Sequence, residues 1–268
     1  MFPCYTSCVA KLQHLICDLD GVVWSGNEMI EGSATALSEL HQQGVSIWFV
    51  TNNSNRPPSH YLERLQRAGI DHQGQIITSA QAAASILHEG ERVLICGGPG
   101  VKEAVIAVGA IAVSNSADEK EVLVDAVIVG LHTDFDYERL HRASRAVRMG
   151  ARLIGTNSDA TFPTASGEAP GGGAILAAVE AASGQVAQLA GKPHEPMAEA
   201  LRQQIGTFDP TAAVMVGDRY TTDGRFAARL GCRFLAVSSG VAPDAVDVSV
   251  WRESPCLRDA LPQLIGEL

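Results

Sequence analysis

The sequence predicts an α/β protein: a doubly wound, parallel-sheet (Rossmann-like) core with a second, smaller α/β unit inserted into it. Three observations point there. Short apolar runs alternate with helical stretches along most of the 268 residues, the rhythm of βαβ units whose strands are covered on both faces. The turns between them are short, and no repeat, low-complexity tract or long linker interrupts the alternation. The strands also outnumber those that one compact sheet needs, so a second, smaller unit inserted mid-chain is the economical account.

The elements follow in order. Residues 14–19 read as a strand entering a turn at Asp20-Gly21. Ser33 suits the N-cap of a helix carrying Leu37 and Leu40, which Gly44 stops. Residues 47–50 make a second buried strand and 61–68 a second helix, closed by Gly69. Further strands fall at 93–96, 126–129 and 153–155, and between the last two a helix aligns Tyr137, Leu140 and Val147 on one face. An alanine-rich helix at 174–182 ends at Gly184. The last stretch repeats the rhythm: helix 197–205, strand 213–216, helix 226–230, strand 234–237.

Composition narrows the class. Hydrophobic residues are 46% and charged residues 19% of the chain, an ordinary globular balance. The formal charge of −10 repels phosphate backbones and argues against nucleic acid as a partner. A small anion responds instead to the field of one pocket, where magnesium would make clustered carboxylates attractive to phosphate. Cys4 and Cys8 have no matching second pair for zinc, and Cys17 and Cys96 sit in apolar runs as small buried hydrophobes. The N-terminal stretch has no basic segment leading into an apolar one, and the longest apolar runs are too short to span a bilayer. The expectation is a soluble, cytoplasmic protein with reduced thiols and no membrane partner.

Four segments carry chemistry. Asp18-Leu19-Asp20-Gly21-Val22-Val23-Trp24 places two carboxylates at i and i+2 where a buried strand ends; they repel one another, and a hard cation relieves that cost. Thr51-Asn52-Asn53-Ser54 offers a hydroxyl and backbone N–H groups past the second strand, suited to phosphate oxygens. Gly191-Lys192-Pro193 supplies a cation at a strand exit, and Gly217-Asp218 through Asp223 adds two more carboxylates after an apolar strand. Taken singly, Asp20-Gly21 is a turn, Thr51 to Ser54 a capped loop, Lys192 a solvated side chain, and Thr222 or Asp223 a helix cap. Together they all follow parallel strands, where open α/β sheets bind ligands.

Weaker signals read as structure. The run Gly97-Gly98-Pro99-Gly100 lacks the third glycine of a dinucleotide fingerprint, Glu103 standing in its place, and reads as a tight turn. Pro170 to Gly173 reads as a hinge or turn before a helix, or as backbone N–H groups offered to an anion at the helix start. His41, His60, His72, His88, His132, His141 and His194 are scattered and read as surface or packing residues, with His132 a partial exception.

These four segments, in this order from His14 to about Val241, resemble the haloacid dehalogenase superfamily of phosphatases. The nearest likeness is the NagD-type and p-nitrophenylphosphatase-like group with an inserted α/β (type C2) cap. Gly155-Thr156-Asn157-Ser158-Asp159, Phe162-Pro163 and Pro170-Gly171-Gly172-Gly173 resemble that cap. The resemblance implies a catalytic core of residues 1–80 and 188–268, and a cap of 81–187 that selects the substrate. It implies a phosphatase of small phosphorylated metabolites with Mg2+ as cofactor. Asp18 would be the nucleophile and Asp20 the acid that later serves as base. Thr51, Asn52 through its backbone, and Lys192 would hold the phosphoryl group. Asp18, Asp20 through its carbonyl, and Asp218 would ligate magnesium, supported by Asp223. Asn157 and Asp159 are expected substrate contacts from the cap, and a homodimer through the cap is expected. Ser158, Gly224 and His132 depart from the group's usual proline, isoleucine and aspartate.

Overall fold

Leu15, Ile16 and Cys17 expose no surface at all, which a strand achieves only where both its faces are covered. They lie in β1 (His14–Cys17). The computed structural model describes residues 11–71, 75–116, 123–164, 167–239 and 247–267; Cys4, Cys8 and His72 lie outside them. After β1 come the short pair β2 (Trp24–Ser25) and β3 (Glu28–Met29), then α1 (Ser33–Gln42), β4 (Ser46–Thr51), α2 (Pro58–Arg67), β5 (Ile76–Thr78) and α3 (Ser79–Ala84). Next are β6 (Arg92–Cys96), α4 (Pro99–Ala107), β7 (Ile111–Ser114), β8 (Ala126–Val129), α5 (Tyr137–Arg148) and β9 (Arg152–Gly155). The hairpin β10 (Thr161–Thr164) and β11 (Gly167–Pro170) precedes α6 (Gly172–Ser183) and β12 (Gln188–Leu189). The remaining elements are α7 (Glu195–Ile205), β13 (Ala213–Gly217), α8 (Arg225–Leu230), β14 (Arg233–Val237), β15 (Arg252–Ser254) and α9 (Leu257–Ile265).

Two compact units divide the chain. The first is Met1–Phe49, Ala68–Gln73 and Thr207–Leu268; the second is Val50–Arg67 and Gly74–Gly206. In the first, a parallel sheet runs in the order β15-β14-β13-β1-β4. His14 stands opposite both Ala213 and Ser46, so the central strand is flanked by one partner near in sequence and one about 200 residues away. The connection leaving β1 leads to the β4 side, and the one leaving β13 leads to β14 on the other. The carboxyl ends of β1 and β13 therefore form a topological switch point, the place where such sheets bind ligands.

The second unit has its own parallel sheet, in the order β12-β9-β8-β6-β7. Cys96, Val127, Val129, Ala143, Leu176 and Val179 fill its core. The unit also takes in Val50 and Thr51, the end of β4, and the strand β5. Parallel sheets with flanking helices and an inserted α/β unit are thus the observed architecture, as the alternation of apolar runs predicts. Cys96 is a buried apolar filler, and burial pushes its thiol up to about 12.

Some local readings change. Ser33 does not cap α1: Gly32, at φ +79°, holds that position, and Ser33 is the first helical residue, its hydroxyl donating to the Val22 carbonyl at 2.9 Å. The glycine run at 97–100 is more than a turn, because it opens α4. A Cβ on Gly98 would collide with Asn55, and one on Gly100 with the Ser54 and Arg56 carbonyls; close backbone packing explains the glycines without a nucleotide. Among the described residues, no helix is long and apolar enough to cross a membrane.

Candidate active site

In the first unit, β1 delivers Asp18 and β13 delivers Asp218 at the switch point. Asp18 continues the ladder past the end of β1, its N–H donating to the Val216 carbonyl at 3.0 Å. Its Oδ1 accepts from the Leu19 N–H at 2.8 Å, which fixes the carboxylate. Asp218 follows Gly217, and the chain then makes one wide helical turn, Tyr220–Gly224, that turns Asp223 back toward the strand. There the Asp223 carboxylate accepts from the Arg219 N–H at 3.1 Å. Glycine at 217 is required, because a Cβ would overlap Asp223.

Asp18, Asp218 and Asp223 are 8%, 3% and 0% exposed, and each offers a carboxylate oxygen within 4.8 Å of the other two. Two ionised carboxylates at about 5 Å repel by roughly 3 kcal/mol at an effective dielectric of about 20. Three buried ones accumulate a cost that packing does not select for. An all-oxygen, anionic donor set of this kind suits a hard divalent cation, so the residues present fit the magnesium that the resemblance implies.

Asp20 stands apart from this cluster. It forms a single bridge with Trp24, and its Oδ1 accepts from the Trp24 indole N–H at 3.0 Å. The tryptophan is fully buried and holds the Asp20 carboxylate in one orientation. Trp24 stands in the sequence only as the last residue of a motif, and nothing local marks this contact. Gly21 follows at φ +87°, and a Cβ there would fall inside the Asp218 carboxylate. Ser239, which nothing in the sequence marks, donates to the Gly21 carbonyl at 2.7 Å. Gly21→Ala is expected to lower stability by about 1–2 kcal/mol for the left-handed backbone, and further through displacement of Asp218. Thermal unfolding, with and without added magnesium, checks this: an unchanged midpoint would mean that Gly21 does not shape the cluster.

In the second unit a different group of predicted residues meets. Thr51 ends β4, is 1% exposed, and its Oγ1 accepts from the Asn53 N–H at 3.0 Å, closing a turn. Lys192 is 3% exposed and its Nζ donates to the Val50 carbonyl at 3.2 Å. The Asn52 side chain contacts Lys192 and Asp159, and the Asn52 carbonyl accepts from Ser79 Oγ and Asn157 Nδ2, both at 2.7 Å. Thr51, Asn52, Lys192, Asn157 and Asp159 thus form one connected neighbourhood. Ser79 is an addition to it that the sequence does not flag. His132, past β8, has Nε2 at 3.1 Å from Asp134; burial pulls its pKa below the ordinary imidazole value, against the opposite pull of Asp134.

Comparisons with known proteins give the family and the fold. The sequence model of the haloacid dehalogenase-like hydrolases matches residues 15–111, and a second, HAD-hydrolase-like model matches 189–256. An acid sugar phosphatase of Staphylococcus saprophyticus is 36% identical over 228 residues, covering 84% of this chain and 85% of that one. A single-mutant thermostable NPPase of Geobacillus stearothermophilus superposes with a TM-score of 0.82 at 31% identity, covering 93% of this chain and 98% of that chain. A glycerol phosphate phosphatase of Mycobacterium tuberculosis, solved in complex with magnesium, gives 0.82 at 31% identity, covering 93% and 76%.

Proposed function

The chain belongs to the haloacid dehalogenase-like hydrolases and is a phosphatase of the NagD-like type, and on that premise we propose magnesium-dependent hydrolysis of small polyol or sugar phosphates through a covalent aspartyl-phosphate on Asp18. The gathering of the buried Asp18, Asp218 and Asp223 carboxylates carries this reading. The relatives described as acid sugar and glycerol phosphate phosphatases supply the substrate class.

Asp18, Asp218 and the Asp20 carbonyl would hold magnesium, with Asp223 supporting from behind. When bound, the ion supplies positive charge that offsets the carboxylates and the phosphate oxygens. An Asp18 oxygen attacks phosphorus as the ester P–O bond breaks, and Asp20 gives its proton to the leaving oxygen. Asp20, now a carboxylate, takes a proton from water; the water oxygen attacks phosphorus, and the bond to Asp18 breaks to release inorganic phosphate. The Trp24 indole bond holds one Asp20 oxygen in a fixed orientation, which leaves the other to carry the proton toward the leaving oxygen. Thr51 and the Asn52 backbone would hold the phosphoryl oxygens, and Lys192 would balance their charge. Asn157 and Asp159 would meet the rest of the substrate from the inserted α/β segment at 81–187.

Phosphate release from p-nitrophenyl phosphate and from a panel of sugar, glycerol and nucleoside phosphates, with and without chelator, tests the proposal. Release that needs magnesium and is fastest on polyol phosphates is the expected result. Full activity after exhaustive chelation would remove the metal from it, and preference for nucleotides would remove the substrate class.

A further inference from the structure

Every polar atom of the Asn52 side chain is committed to residues far away in sequence. Its Oδ1 accepts from the Lys192 N–H at 2.8 Å, and its Nδ2 donates to the Lys192 carbonyl at 3.1 Å and to Asp159 Oδ2 at 3.3 Å. A primary amide has two N–H donors, and both have acceptors here. The orientation is fixed, because a flipped amide would put N–H against N–H and oxygen against both a carbonyl and a carboxylate. Asn52 thus grips the backbone of Lys192 on both sides. Gly191 makes the approach possible: a Cβ there would meet Asn52 Oδ1 and the Thr156 carbonyl. The far end of the lysine is held as well, by Val50.

We propose that the Asn52 side chain is a positioning residue for Lys192, distinct from the phosphate contact expected of its backbone. The inference rests on the reading of Lys192 as the cation beside the phosphoryl group. A lysine side chain has four rotatable bonds, and a buried one is useful only if its ammonium returns to one place. The amide clasp fixes the start of that chain and the Val50 carbonyl its end. Asp159, on the same amide, ties the loop after β9 to the same point.

The test is a double-mutant cycle of Asn52→Asp and Lys192→Met, read as kcat and KM on p-nitrophenyl phosphate and as competitive inhibition by inorganic phosphate. Aspartate keeps the shape and the acceptor for the Lys192 N–H, but turns an oxygen toward the Lys192 carbonyl and Asp159. A misplacement of about 1 Å costs about 100-fold, so kcat should fall by about that factor with KM changed far less. Because Asn52 acts through Lys192, the double variant should be no slower than Lys192→Met alone. Wild-type kcat in Asn52→Asp, or losses that multiply in the double variant, would overturn the positioning role. Lys192→Met with full activity would sink the reading of the lysine itself, a different outcome from either. Circular dichroism reports folding at each corner, and Asn52→Ser, smaller and uncharged, replaces the aspartate should that variant fail to fold.

Discussion

Asp18→Asn is expected to lower kcat by at least about 10⁴-fold while leaving the fold intact. The amide keeps an oxygen for the Leu19 N–H, the bond that fixes this side chain, so the local backbone has no reason to move. What disappears is the anionic oxygen proposed to form the bond to phosphorus. The variant should also be at least as stable as the parent when metal is chelated, because one of three buried like charges is gone. Rate loss together with an equal or higher unfolding midpoint would be hard to explain by misfolding. Retained turnover in the purified variant would take Asp18 out of the nucleophile's role.

Asp218→Asn carries the second large effect. Asp218 meets Gly21 from one side and shares the cluster with Asp18 and Asp223, and it is the carboxylate proposed to ligate the metal alongside Asp18. Neutralising it should raise the magnesium concentration for half-maximal activity by more than about 100-fold, whereas Asp223→Asn, removing a supporting group, belongs in the range of about 10–100-fold. Magnesium titrations of activity and of thermal stability measure both. The order of the two variants is the informative result: a larger shift for Asp223 would make it the direct ligand and Asp218 the support.

Much of this site is readable along the chain because its acids stand just beyond apolar strands. A carboxylate after Leu15, Ile16 and Cys17, or after Val214, Met215 and Val216, contrasts with its neighbours so strongly that local pattern suffices. That the sheets are parallel and covered by helices also follows from the alternation. Contacts between loops do not. Asn52 and Lys192 are 140 residues apart, and nothing in the periodicity of either segment names the other. The same holds for Ser79 and Ser239, whose hydroxyls are ordinary until their acceptors are known. Asp20 shows a subtler limit: i and i+2 spacing suggests two carboxylates side by side, but the chain has already left the extended conformation, and Gly21 and Trp24 turn the second one elsewhere. Local signals were also present and unread. Thr78 and Gln81 form a reciprocal capping box at the start of α3, and β7 is apolar over Ile111 to Val113, whereas β15, Arg252–Ser254, has no apolar residue to stand out.

The sheet that carries Asp18 is assembled from Met1–Phe49 and Thr207–Leu268, with β1 seated between β13 and β4. The strand β13 that flanks β1 on one side follows it by about 200 residues. Neither that flank nor the gathering of Asp18 with Asp218 and Asp223 can form before this distant segment has joined the sheet. A fragment that stops short of β13 would carry the proposed nucleophile without its companion carboxylates.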